Sequence, residues 1–198
     1  MAHELRDRLV AMGSEQAQAF HDILHVYEGL ADRYGLWDAA NIMMEWCSDD
    51  GFIDFRAWLI AQGKEVYLSA LKDPDTLADI EPYGNCCFES LSYVGDDAYR
   101  QLTGQDAYEN ADPAARKKWK AILGADIVYR EDIRFPRPRR ALPAAYPRLC
   151  AKYGGAERFD TDDIGWNTGS KDVRSLLERG KEYDLEKKLS RKKGGEGR

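Results

Sequence analysis

Apolar side chains recur at helical spacing along most of the first 123 residues. Over residues 14–34, Phe20, Ile23, Leu24, Tyr27, Leu30, Ala31 and Tyr34 share one stripe. That stripe predicts a helix with Ser14 as its N-cap and Gly35 as the left-handed residue that ends it. Residues 36–47 are apolar over more than half of a helix circumference, with Asp38, Asn41 and Glu45 as a narrow polar line. So apolar a helix is expected at the centre of a core. Ser48, Asp49 and Asp50 then break the period and cap a third helix over residues 51–62. Gly63 separates it from a fourth over residues 64–72, and Asp73-Pro74 opens a short turn of helix. Further on, Phe88, Leu91, Val94, Gly95, Ala98, Tyr99 and Leu102 mark a helix over residues 86–103, with Gly95 allowing a close backbone approach. Asp112-Pro113 starts a basic helix over residues 114–123, anchored by Trp119, Ile122 and Leu123.

The third helix holds one residue out of keeping with its surroundings. Phe52, Ile53, Phe55, Leu59 and Ile60 project as one apolar arc, and Arg56 falls in its middle. A guanidinium there must be buried and paired, since an unpaired buried charge costs on the order of 3–5 kcal/mol. Asp49, Asp75, Glu45 and Glu89 are the expected partners.

From Gly124 the pattern changes. PRPRRALPAAYP carries four prolines, which favour an extended path over the surface. A short helix follows over residues 144–153, then a loop over residues 159–170 whose Phe159 and Trp166 tuck into the body, then a helix over residues 171–179. The organisation expected is a helical core over residues 1–123, a basic strap with its short helix and loop over residues 124–180, and a charged, disordered tail over residues 181–198.

Charge sharpens that division. Residues 1–112 carry 22 acidic against 7 basic side chains, and residues 113–198 carry 13 against 22. With a net charge of −6, the basic part is expected to lie on the acidic part rather than on a polyanion. No apolar run approaches the ~18 residues of a membrane span. The charged N-terminus lacks a signal peptide's apolar segment, so a cytoplasmic location is expected. Cys47, Cys86, Cys87 and Cys150 show no CxxC spacing and are expected as reduced thiols.

Three sets of residues could carry chemistry. Arg56, Asp49, Asp50, Glu45, Asp38 and Trp37 could line a ligand pocket beside the second and third helices. His21, His25 and Glu28, with Asp32 beyond them, follow one helix strip at i, i+4, i+7 and i+11, a spacing open to a divalent metal. Against this, most amphipathic helices have such a solvated edge. Arg134, Arg137, Arg139 and Arg140, with Tyr129, Phe135 and Tyr146 for stacking, could meet nucleic acid. No Gly-rich phosphate loop and no nucleophile triad is legible, and no cofactor is implied.

Residues 36–40 read LWDAA, residues 47–63 read CSDDGFIDFRAWLIAQG and residues 73–78 read DPDTLA. This run, within residues 20–104, resembles the domain-of-unknown-function 4240 family of bacterial proteins. Glu45-Trp46 stands where that family often has two small residues. The resemblance implies a shared fold and no activity, and some relatives are joined to other domains in regulator-like proteins. The expected fold is all-α: seven or eight helices around the Trp37–Trp58 region. The expected function is a non-enzymatic interaction or regulatory module that meets another protein. A small-ligand-binding protein or enzyme with a pocket around Arg56 is the second expectation, and nucleic-acid binding through the strap the third.

Overall fold

The computed structural model describes residues 1–82, 84–154, 156–162, 178–183, 185, 186 and 188. The fold is all-α. In chain order the helices are α1 (Ala2–Met12), α2 (Ser14–Leu30), α3 (Tyr34–Met43), α4 (Asp49–Ala61), α5 (Lys64–Lys72), α6 (Glu89–Thr103), α7 (Pro113–Gly124), α8 (Leu142–Ala145) and α9 (Pro147–Tyr153). Short 3-10 turns span Pro74–Asp79, Arg139–Ala141 and Ala156–Phe159. Residues 178–183 are helical as well, a run that takes in the start of the segment expected to be disordered. Trp166 and most of the helix expected over residues 171–179 lie outside the described residues.

Several boundaries differ from the pattern-based expectation, each for a local reason. α1 has no counterpart in that reading because charges interrupt its apolar face; Leu9 is its only buried residue. Gly13, with φ of +104°, joins α1 to α2 and takes the N-cap position expected of Ser14. Gly35 does not end α2. It lies in the first turn of α3, where a Cβ would meet the Pro74 ring at 3.2 Å and the Tyr146 hydroxyl at 3.6 Å. α3 stops at Met43, and Glu45 follows with φ of 67°. The Asn41 side chain accepts from the Cys47 amide at 3.0 Å and so closes this turn. Asp38 and Asn41 are 2% exposed, so the polar line on α3 faces inward rather than toward water. Trp46, by contrast, is 59% exposed.

Other start signals hold. Ser48 Oγ accepts from the Gly51 amide, Asp73 from Asp75 and Asp112 from Ala114. α4 buries Phe52, Phe55, Trp58 and Leu59, while Ile53 is an exposed member of the predicted arc. Trp37 stacks on Phe52 at 4.5 Å between centroids, and Phe55 meets Trp58 at 5.3 Å. Leu36, Ile42, Leu77, Tyr146 and Leu149 complete this main core. Tyr146 comes from the basic part of the chain and is fully buried, so residues beyond 124 help build the core. Full burial of each such aliphatic or aromatic side chain is worth about 1.5–3 kcal/mol.

α2 lies along α6, α1 packs on α6, and α7 packs on α2. The α2–α6 crossing is close at Gly95, where a Cβ would stand 2.9 Å from the His21 Cα. α7 buries no residue: of its expected apolar anchor, Trp119 and Leu123 are half-buried and Ile122 is 50% exposed. Among the described residues, no helix is long and apolar enough to cross a membrane.

Candidate functional site

Arg56 is nearly buried, with its side chain 14% exposed, but it meets none of the four expected carboxylates. Its Nη1 donates to the Glu28 carbonyl at 3.1 Å and its Nε to the Phe52 carbonyl at 3.3 Å. Asp32 stands 3.9 Å away as a long ion-pair partner, and the guanidinium lies 4.9 Å from the Phe52 ring centre. The reason is the end of α2. The Tyr27 carbonyl accepts from the Ala31 amide at 3.0 Å, and the carbonyls beyond it have no amide of their own helix to accept from. The Tyr67 hydroxyl donates to Tyr27 at 2.7 Å, Arg56 to Glu28, and the Tyr129 hydroxyl to Leu30 at 3.0 Å. A cation there also suits the negative end of the helix dipole.

The other members of the predicted pocket disperse. Asp38 is sealed in the core, where it accepts from the Tyr146 hydroxyl at 3.0 Å. Burial pushes its carboxyl up to about 8, against the lowering effects of that bond and of Arg137. Asp49 and Asp50 occupy the exposed first turn of α4. The Glu45 side chain is exposed, and its carbonyl accepts from Arg139 at 3.2 Å. Trp37 packs on Phe52 and opens toward a different cleft, described below. The six residues do not surround one space. The thiols are poor nucleophiles too: burial pushes Cys47 and Cys150 up to about 12 and Cys86 to about 11.

His21, His25 and Glu28 sit together without converging on an ion. His25 Nδ1 is 2.8 Å from Glu28 Oε2, and Ser92 Oγ donates to Glu28 Oε1 at 2.7 Å. Burial pushes the Glu28 carboxyl up, but these two bonds outweigh it and leave the group below its ordinary value. His21 is fully buried, with Arg116 Nη2 at 3.3 Å from its Nε2, and Arg116 Nε donates to Asp22 at 2.9 Å. Glu28 thus holds the back of the His25 ring, and a guanidinium occupies the coordinating side of His21. Among the described residues, no group of three His, Cys, Asp or Glu stands where it could hold a metal ion.

The strap arginines are engaged by the chain itself. Arg134 pairs with Glu131, Arg137 donates to the Asp132 carbonyl, Arg139 to the Glu45 carbonyl, and Arg140 to Asp162. Arg130 bridges Asp132, Asp73 and the Ala145 carbonyl, Arg148 reaches Asp79, and Lys152 reaches Glu81. Basic residues of the second half thereby meet acidic groups of the first.

Where the strap passes the start of α3 it leaves a cleft of about 760 Å3. Trp37, Pro74 and Ile133 supply apolar lining, and Arg33, Tyr129, Arg130 and Arg134 share its polar edge with the carboxylates of Asp32 and Glu131, of which Glu131 is paired with Arg134. The Arg33 guanidinium lies 4.1 Å from the Tyr129 ring centre, is exposed, and has no carboxylate partner among the described residues. Of the cleft residues with a proposed role, the sequence pattern marks Trp37 for a ligand pocket and Arg134 with Tyr129 for nucleic acid, and it passes over Arg33. Nothing in the spacing joins residues 33, 74 and 129; only the tertiary path of the strap does.

The sequence model of one family, described as a protein of unknown function (DUF4240), matches residues 1–101. No curated protein and no solved structure matches the chain.

Proposed function

The chain belongs to the DUF4240 family, of unknown function, and from that premise we propose that it is a non-enzymatic interaction module that docks an acidic segment of a partner protein in the cleft between α3 and the strap. One observation carries this reading: the cleft joins an apolar floor to a cation, Arg33, that has no carboxylate partner among the described residues. Its size is within the range of ligand-binding concavities, ~300–1,000 Å3. An apolar side chain of the partner would fill the floor against Pro74 and Ile133, and its carboxylate would meet Arg33. A charge-assisted bond of that kind is worth about 1.5–3 kcal/mol, which makes binding depend on it by roughly ten- to a hundredfold.

The readings that centre on Arg56 or on the strap arginines find less support. Arg56 serves the end of α2, and the strap guanidinium groups have acceptors within the chain. Selection from a displayed peptide library tests the proposal. The full chain is expected to enrich peptides that set Asp or Glu beside an apolar residue, and Arg33→Glu to lose that enrichment at least tenfold. Enrichment without an acidic bias, or an unchanged set selected by Arg33→Glu, would count against it.

A further inference from the structure

Beneath Tyr108, a buried imidazole and a half-buried one form a pair that the proposed cleft does not use. The His21 and His25 ring centres are 4.3 Å apart, at 77° to one another, and Tyr108 covers both, at 4.4 Å and 5.0 Å. His21 Nδ1 and His25 Nε2 are buried without a hydrogen-bond partner. Their protonation follows from their neighbours. Arginine only donates, so His21 Nε2 must accept from Arg116 and the ring proton sits on Nδ1. Glu28 accepts, so His25 Nδ1 carries a proton.

We propose that His21 is a proton-sensitive latch for α7: neutral, it accepts from Arg116 and helps fasten α7 to α2; protonated, it releases that contact. A protonated His21 would present a donor to Arg116, a donor without acceptor capacity, and would set two cations 3.3 Å apart. α7 is the part able to respond. It buries no residue, and Arg116 is its polar tie to α2 through Asp22 and His21. The α2–α6 crossing, with Gly95 pressed on the His21 backbone, has no such freedom.

The groups facing the pair come from every surrounding element. α2 contributes Asp22, His25 and Glu28, α6 contributes Ser92 and Asp96, the following loop Asp106 and Tyr108, and α7 Arg116. Burial, then His25, pushes the His21 imidazole down from 6.5 to about 4. The Asp106 carboxyl is held below its ordinary value chiefly by the Tyr108 amide, and Glu28 by His25 and Ser92, so both stay charged through most of this window. Opening α7 removes the Arg116 guanidinium from the ring and leaves the burial against α6 and the His25 neighbour in place, so protonation of His21 favours the open form as pH falls below 6.5.

Hydrogen–deuterium exchange on the full chain, corrected for the intrinsic pH dependence, reads this directly. Protection of residues 113–124 is expected to fall several-fold between pH 7.5 and pH 5, with α4 unchanged, and His21→Gln, which can still accept from Arg116, to show no such step. An equal step in His21→Gln, or constant α7 protection in the wild type, overturns the proposal. Imidazole nitrogen NMR on the wild type gives a second reading that requires no variant. A proton on His21 Nδ1 and titration well below 6.5 support the latch, and a proton on Nε2 or titration at or above 6.5 refutes it.

Discussion

At the scale of the residue, Arg56 shows how a charge can sit in an apolar arc without serving a ligand. Its position was legible from helical projection, but its partners were not. The expected partners were carboxylates, whereas the acceptor is the Glu28 carbonyl at the end of a different helix. Backbone acceptors leave no mark in a sequence. Arg56→Leu keeps the apolar volume and strands that carbonyl, so it is expected to lower unfolding free energy by about 1–3 kcal/mol in urea titration. Asp38 is the converse, a carboxylate expected to line a pocket and found sealed under Tyr146. Its folded carboxyl titrates near 8, above the ordinary 3.8, so the folded state holds a proton that the unfolded chain releases. Its contribution to stability is therefore complete below about pH 4 and is lost as pH rises through 8. Asp38→Asn should remove this slope, so that the stability of the variant relative to wild type rises from pH 5 to pH 8. A constant difference across that range would show the carboxyl to be ionised in the fold.

At the scale of the element, periodicity and caps located α2 to α7, and the departures from them have local causes. α1 has a narrow apolar face, and its place is set by contact with α6 rather than by its own pattern. α3 begins earlier and ends earlier than its apolar run suggests, because Gly35 is needed for close packing and Asn41 closes the following turn. The role of Gly95 as a close-approach residue was legible, though the backbone it meets, that of His21, was not. Gly95→Ala would set a Cβ 2.8–2.9 Å from main-chain and Cβ atoms of α2 that have little freedom to yield. A loss of about 1–3 kcal/mol is expected, measured as a lowered denaturation midpoint at an unchanged m-value.

At the scale of the whole molecule, the opposed charges of the two halves join through contacts such as Arg116–Asp22, Arg130–Asp73 and Arg148–Asp79. The strap that makes two of these contacts also closes the cleft over the start of α3. Helical content and the Trp37–Trp58 core could be read from spacing. The cleft could not, since it is made by segments about forty and a hundred residues apart whose meeting depends on where a proline-rich path crosses the helices. The proposed function rests on that crossing. Amide chemical-shift mapping of a selected acidic peptide on the full chain tests it most directly. Perturbations at residues 33–37 and 129–134 that disappear in Arg33→Glu are expected; perturbations confined to other surfaces, or unchanged in that variant, would contradict acidic-peptide docking in the cleft.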